Sequence, residues 1–165
     1  MKQQIDFLYS YNQWSNERMW LSIVELTDEQ WCAEQHYSLG SVHDHIVHIM
    51  YATTRWTYTL RGFGKMPALE PQIFPKIVAA HNRWQELWEE INGYVFALAA
   101  QDLQQECQWG LPRRNISGRT PLWQLLHHLA NHAMDHRTQV LMILHTQFGI
   151  QTPEQDIIFY MNEVA

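Results

Sequence analysis

The chain of 165 residues is 46% hydrophobic and 17% charged, which is typical of a folded globular protein and excludes a disordered or fibrous one. Its 17 acidic residues outnumber 11 lysines and arginines, so the formal net charge is -6. Because this charge would repel a phosphate backbone, nucleic-acid binding is disfavoured. The length predicts one domain with its own core, covering residues 1–165.

Neither a signal peptide nor a membrane span is expected. The N-terminal stretch lacks an apolar run of signal-peptide length, and the longest apolar run, residues 94–100, is far shorter than the ~20 residues that cross a bilayer. The two cysteines, Cys32 and Cys107, are far apart and form no C-x-x-C motif, which is typical of reduced thiols. These features predict a cytoplasmic protein that contacts no membrane.

The first helix is predicted from Gln3 to about Leu26, because apolar residues recur there at helical intervals without Gly or Pro. Its inward face also carries Asn12 and Asn16. Polar residues at such positions either belong to a buried hydrogen-bond network or line a cavity. One short turn is expected after this helix, at residues 28–33.

The second helix is predicted over Ser41–Leu60, with Ser41 as its N-cap. Two glycines end it, Gly62 and Gly64. Its apolar stripe contains His45, whereas His48 lies at the border of the stripe and His43 points outward. Periodicity alone therefore selects His45 as the inward histidine.

Three of the six prolines fall in residues 65–75, which predicts a connection across the end of the bundle. A third helix should run from about Pro75 to about Ala99, where the apolar period is the cleanest in the chain. His81 shares its apolar stripe. Without a histidine four residues away, His81 is predicted to be a core residue or a neighbour of a ligand rather than a ligand.

The last third of the chain predicts a loop at residues 104–119, in which a small hairpin can form, followed by two helices. The long one runs from Thr120 to Gly149, and a short one starts at residues 152–156 and continues through Tyr160. Four long helices with mostly short connections predict an all-α four-helix bundle with a short C-terminal helix. Eight tryptophans suit its interior or the walls of an apolar pocket.

The long fourth helix carries His128, His132 and His136 at intervals of four residues, so they stand one turn above each other. Its apolar stripe is defined by Leu122, Leu125, Leu129, Ala133, Val140 and Ile143. His132 and His136 fall inside this stripe, and His128 lies at its edge. An isolated histidine on an apolar stripe is most often a hydrogen-bonded core residue. Two inward histidines with this spacing can instead bind one metal ion.

Five segments match the motifs of one family in turn. Residues 11–18, YNQWSNER, are similar to its Y-N-x-W-A-N-x-R, and residues 128–139, HLANHAMDHRTQ, look like its H-v-x-N-H-x-x-x-H-R-G-Q. Residues 41–49 resemble its N-cap and aliphatic-His-aliphatic unit, residues 98–103 its S-L-x-D-x-E-L, and residues 152–160 its P-x-x-D-x-x-x-Y. Over nearly its whole length the chain resembles the DinB/YfiT-like superfamily of bacterial metal-binding four-helix bundles.

This resemblance implies a metal site formed by His48, His132 and His136, with His48 in place of His45. It implies a divalent cation, Zn²⁺ first, with Ni²⁺ or Fe²⁺ as alternatives because imidazole discriminates poorly between them. His128 would then support a ligand rather than bind the metal.

Two positions depart from the family pattern. Thr138 replaces the glycine that usually follows the His-Arg pair. Ala52 stands four residues after His48, where the family often has Glu. The missing carboxylate leaves the range of metal environments open.

Three histidines leave at least one coordination position free, as in catalytic metal sites. The resembled superfamily includes transferases and isomerases that depend on a low-molecular-weight thiol. We therefore expect the thiol to bind as thiolate and to attack an electrophilic small molecule held among the tryptophans. Hydrolysis by metal-bound water is one alternative, and a non-catalytic dimer that binds a metal or ligand is another.

Two further expectations concern the surroundings of the site. No obvious general base lies beside the three histidines, and only Asp135 and Glu17 are candidates by proximity in sequence. The resemblance also implies a homodimer, with exposed tryptophans on the bundle faces as the physical route.

Overall fold

The computed structural model describes residues 1–63, 66 and 74–164. The α-helices of this part of the chain are α1 Lys2–Ile23, α2 Asp28–Trp31, α3 Val42–Leu60, α4 Ile77–Ala97, α5 Leu122–Phe148 and α6 Ile157–Val164. The strands β1 Glu106–Leu111 and β2 Ile116–Pro121 form an antiparallel pair. The prediction of an all-α bundle with a short C-terminal helix is confirmed.

The four long helices pack as a ring. α1 packs against α5 and α4, and α3 packs against the same two helices. The seam between α3 and α5 therefore lies on the opposite side of the bundle from the seam between α1 and α4. Side chains in these two seams are therefore separated by the bundle core.

Side-chain caps explain where two of the helices begin. Ser41 and Asp44 form a capping box at the start of α3, and Thr27 and Gln30 form one at the start of α2. Gly149 closes α5 with a positive φ of 66°, a conformation that glycine adopts at little cost. The predicted Ser41 cap and the predicted end of α5 are confirmed.

The apolar stripe predicted for α5 is fully buried, which fixes the inward face of this helix. The tryptophans lie at residues 14, 20, 31, 56, 84, 88, 109 and 123. Five of these side chains are buried, and the other three are half-buried. The expectation of exposed tryptophans as a route to dimerisation is therefore wrong, since five of these large apolar rings pack inside the bundle and the other three are partly covered.

Four predicted helix boundaries were wrong. α5 begins at Leu122 rather than Thr120, because Thr120 and Pro121 belong to β2. α1 ends at Ile23 rather than Leu26, because Leu26 N–H bonds to the carbonyl of Ile23 in a tighter turn. α4 begins at Ile77, two residues after Pro75. The last helix begins at Ile157 and continues to Val164.

Tertiary contacts explain the late start of the last helix. The carbonyl of Gln155 accepts a hydrogen bond from the Tyr11 hydroxyl at 2.6 Å, and the Gln155 side chain donates to the carbonyl of Ser15 at 2.8 Å. The segment before Ile157 is thus held against α1 in a non-helical conformation. The end of the second helix at Gly64 and most of the predicted connection at residues 65–75 lie outside the described residues.

The predicted hairpin is present and packs against α3. Arg55 donates a hydrogen bond to the carbonyl of Gly110, and the rings of Trp109 and Trp56 lie 6.4 Å apart. Trp109 pairs with Gly118 across the hairpin, where an added Cβ would lie 2.9 Å from the Trp109 ring. Glycine at 118 therefore lets the indole lie flat on β2.

A buried arginine joins α5 to α1. Arg137 is 1% exposed and donates from Nη1 to the side-chain oxygens of Asn12 and Asn16, at 3.2 and 3.0 Å. Its Nε donates to the side-chain oxygen of Gln155 at 2.7 Å. Burial lowers the pKa of Arg137 to about 10, so the guanidinium is charged at neutral pH. The predicted network around Asn12 and Asn16 is therefore present.

Candidate metal centre

Three histidines meet at the seam between α3 and α5. His48 from α3 and His132 and His136 from α5 each offer one nitrogen atom, and these atoms lie within 4.8 Å of one another. The Nε2 atoms of His48 and His132 are 3.2 Å apart. These are the three residues that the family motif selects.

The positions of these side chains follow from helix geometry. His132 and His136 stand one turn apart on the inward side of α5, with ring centroids 4.7 Å apart. His48 comes from the border of the α3 stripe, and its ring lies 5.1 Å from His132 and 4.6 Å from His136. A side chain at the border of a stripe can therefore reach the seam between two helices.

The cluster fits the requirements of a divalent cation. Two imidazole ligands of a tetrahedral Zn²⁺, with bonds near 2.0–2.1 Å, are about 3.3 Å apart, close to the His48 to His132 separation. The two nitrogen atoms can share a hydrogen bond only if one of them carries a proton. A cation would accept both lone pairs at once. The donor set is three imidazoles, which suits Zn²⁺, Ni²⁺ or Fe²⁺.

Gln139 fixes the orientation of one of these rings. The Gln139 side-chain oxygen lies 2.8 Å from Nδ1 of His136 and also accepts a hydrogen bond from the Ser38 hydroxyl at 3.1 Å. Because an amide oxygen only accepts, Nδ1 of His136 carries the proton and Nε2 keeps its lone pair. Metal-binding histidines commonly have such a partner on their second nitrogen.

Burial keeps His132 and His48 neutral. It lowers the pKa of His132 to about 4, with further lowering by His136, His48 and His128. It also lowers the pKa of His48, with additional effects of His136 and His45. The neutral form is the one that binds metal, so these two side chains need not lose a proton at neutral pH.

His45 is inward, as periodicity predicts, but it lies outside the group of three. Its side chain is completely buried, and its Nδ1 donates to the carbonyl of Ser41 at 2.8 Å. The ring centroid is 6.1 Å from that of His136. His45 therefore packs one turn before His48 and next to the cluster.

The other histidines occupy different places. His128 is exposed, with its ring 5.0 Å from Trp56 and 6.0 Å from His132, so it borders the cluster. His81 stacks on Trp20 at 4.5 Å in the seam between α1 and α4. His43, predicted to point outward, is half-buried against Trp31. The predicted non-ligand role of His81 agrees with its place in the opposite seam.

No carboxylate joins the three histidines in the part of the chain that the structure describes. Asp135 is exposed on α5, and Glu17 lines a cavity between α1 and α4. Ala52 is buried one turn after His48 and supplies no ligand atom. The two general-base candidates chosen from the sequence are thus not in this group.

Arg55 and the hairpin extend the wall beside the cluster. Arg55 lies two turns after His48 on α3, and its charge lowers the pKa of His128 after the larger effect of burial. Trp56 links His128 to Trp109 of β1. The sequence reasoning missed Arg55 and Trp109. The seven-residue interval between His48 and Arg55 is a signal that could have found the arginine.

Across the described residues, every helix is too short or too polar to cross a membrane.

Comparisons with known proteins agree with this architecture. The chain is similar in structure to a DinB-like protein from Bacillus cereus ATCC 10987, with a TM-score of 0.66 and 19% sequence identity. The match covers 90% of this chain and 94% of that protein, and it supports the fold alone. No curated protein matches the sequence. The model of the DinB family matches residues 1–164, and the chain therefore belongs to the DinB family.

Proposed function

We propose that this protein is a divalent-metal-dependent enzyme that activates a low-molecular-weight thiol for transfer to an electrophilic small molecule. His48, His132 and His136 hold the metal in this proposal. The observation that carries it is the convergence of three imidazole nitrogens within 4.8 Å of one another. Three neutral ligands leave coordination positions for a substrate.

The metal proposed first is Zn²⁺, with Ni²⁺ or Fe²⁺ as alternatives. A divalent cation at this place would lower the pKa of a thiol that binds it, so that the thiolate is present at neutral pH. Gln139 orients His136 for this role, and the Trp56 and Trp109 rings provide an apolar wall for the electrophile. The positive charge of Arg55 acts on His128, which borders the cluster, and favours a thiol that also carries a carboxylate.

The first test is metal content. Protein purified without a histidine tag should contain about one divalent metal ion per chain, as measured by inductively coupled plasma mass spectrometry. His132→Ala should lose it, whereas His145→Ala, on the exposed side of the same helix, should keep it. Metal retained by His132→Ala would contradict the assignment of the ligands.

The second test is turnover. Transfer of a thiol to monochlorobimane, with release of chloride, should stop when a chelator removes the metal and resume when metal is added back. It should occur with cysteine-containing thiols and should be lost in His136→Ala. Cysteamine, which has no carboxylate, should react less well than cysteine. Stoichiometric metal without any thiol transfer or ester hydrolysis across a broad panel would contradict the enzymatic proposal.

A non-catalytic binding protein is the second candidate. It is favoured by one observation, the absence of a carboxylate among the grouped side chains of the described residues, since a general base usually accompanies hydrolytic metal chemistry. The turnover panel separates the two candidates, because only the enzyme consumes the electrophile.

A homodimer is part of the same proposal and rests on the family resemblance. Light scattering should give twice the monomer mass of 19.7 kDa at micromolar concentration. A strict monomer would contradict this part without affecting the metal site.

A further inference from the structure

The cavity between α1 and α4 lies in the seam opposite the three histidines. Its volume is about 310 Å³, at the lower end of the range for small-molecule sites. Four of its lining residues lie at positions 13, 16, 17 and 20, along one face of α1. The other six lie between positions 81 and 92 on one face of α4. Both faces are aromatic and polar at this place rather than aliphatic.

Aromatic side chains form much of the cavity wall. The ring centroids of Trp20 and Trp84 are 5.6 Å apart, and those of Trp84 and Trp88 are 5.8 Å apart. His81 stacks on Trp20 at the same wall. Flat rings of this kind favour a flat ligand that can stack on them or meet them edge to face.

Four of the residues that line this cavity each carry a buried polar atom that has no hydrogen-bond partner. These atoms are Nδ2 of Asn16, Nε1 of Trp20, Nε1 of Trp88 and Oδ1 of Asn92. All four side chains are more than nine-tenths buried. Leaving a buried polar atom without a partner costs about 1–3 kcal/mol, so four in one wall indicate a place where a ligand supplies partners.

The chemical roles of these atoms are fixed by their neighbours. The Asn16 oxygen accepts a hydrogen bond from Arg137, which can only donate, so the free atom of Asn16 is its NH₂ group. Indole nitrogens also only donate. Asn92 donates its NH₂ group to the Gln13 side-chain oxygen at 3.0 Å, which leaves its own oxygen free. The wall thus holds three donors and one acceptor.

The charges around the cavity exclude an anionic ligand. Glu17 and Glu89 line it and are exposed, whereas no lysine or arginine is among its lining residues. Burial lowers the pKa of His81, which keeps this side chain neutral at pH 7. A carboxylate or phosphate could use the three donors, but it would face two negative charges with no positive one.

We propose that this cavity binds a small, neutral aromatic amide. The ring of the ligand packs against Trp84 and Trp88, its carbonyl accepts hydrogen bonds from two of the three donors, and its N–H group donates to Asn92. This site is independent of the metal centre, because it lies in the opposite seam of the bundle.

Benzamide is the probe. Benzoate is the control ligand, because it has nearly the same shape but carries a negative charge. In nitrogen-edited NMR spectra of the full chain, benzamide should shift the indole N–H signals of Trp20 and Trp88 in a saturable manner. Benzoate should bind at least tenfold more weakly. Trp88→Phe should weaken benzamide binding about fivefold, the loss expected for one hydrogen bond. Trp123→Phe, on α5 and outside the cavity, is the matched control and should bind benzamide as the unmodified protein does.

Three results would overturn the proposal. The first is the absence of saturable shifts of these two indoles at millimolar benzamide. The second is equal binding of benzoate, which would contradict the charge argument. The third is loss of benzamide binding in His132→Ala, which would place the ligand at the histidine cluster instead. The indole shifts of the unmodified protein decide the matter even if Trp88→Phe does not fold.

Discussion

Replacing Arg137 with methionine tests the buried network that joins α5 to α1. Methionine fills a similar volume but removes three hydrogen bonds, of 2.7 Å to Gln155 and of 3.2 and 3.0 Å to Asn12 and Asn16. The three amide oxygens then lose this donor in a region where Arg137 itself is 1% exposed. We expect the folded state to be clearly destabilised.

The size of the effect follows from two opposing contributions. Asn12 and Asn16 are buried, and each acceptor without a partner there costs about 1–3 kcal/mol; the half-buried Gln155 costs less, so the sum is roughly 2–7 kcal/mol. Methionine also avoids the burial of a charge, which lowers the pKa of Arg137 from 12.5 to about 10 and corresponds to about 3 kcal/mol. The free energy of unfolding should therefore fall by about 1–2 kcal/mol, the middle of the resulting range.

Urea denaturation followed by far-UV circular dichroism at neutral pH measures this change. Arg83→Met is the control, because Arg83 makes an ion pair with Glu86 on the surface of α4, and such pairs contribute about 0–1 kcal/mol. If Arg137→Met and Arg83→Met lose the same stability, the reasoning about the buried network is wrong.

Three further predictions concern the histidine cluster and the hairpin. Gln139→Leu should weaken divalent metal binding about 10- to 100-fold, because the oriented ring loses its partner, as measured by competition with a chelating dye. The metal-free protein should lose stability as pH falls from 6.5 towards 4, since burial lowers the pKa of His132 to about 4, and the unfolded chain then binds a proton that the folded chain does not. Thermal melts across this range measure that loss. Gly118→Ala should destabilise the protein by about 1–3 kcal/mol in urea denaturation, because its Cβ would lie 2.9 Å from the Trp109 ring.

Each of these predictions has a contrary outcome. Metal affinity unchanged in Gln139→Leu would mean that the ring of His136 is held by other contacts. If the melting temperature stays constant as the pH is lowered below 6.5, the burial of His132 in its neutral form is contradicted. Gly110→Ala is the control for the hairpin, because its Cβ would come no closer than 3.6 Å to another atom. Equal effects at the two glycines would contradict the close approach of Trp109.

Local sequence patterns were enough to predict the helices and two of the three histidines of the candidate metal centre. The stripe of α5 is continuous over many turns, so it fixed which side of the helix is buried and that His132 and His136 share it. The inward positions of Asn12 and Asn16 predicted a buried hydrogen-bond network or a cavity lining. Both residues bind Arg137, and Asn16 also lines the cavity between α1 and α4. The end of α1 and the start of α6 were predicted less well, because a tight local turn closes α1 and contacts with α1 hold the segment before α6.

The choice between His45 and His48 shows where periodicity alone fails. His45 lies nearer the middle of the apolar stripe of α3 and is the more deeply buried of the two. His48 is half-buried and meets His132 because α3 and α5 approach each other at the border of the stripe. A family motif contains this information about two helices, whereas the hydrophobic pattern of one helix does not.

The sequence by itself therefore determined the helical bundle, the inward face of its longest helix and the pair of histidines one turn apart, because all three depend on the repeat of a single helix. The family motif selected His48, but only the tertiary structure showed that its ring meets those of His132 and His136. Only the tertiary structure also decided that the hairpin adds Trp109 near them and that a polar and aromatic cavity lies in the opposite seam. These features depend on distances between segments far apart in the chain, which are set by how the helices pack and not by the spacing within any one of them.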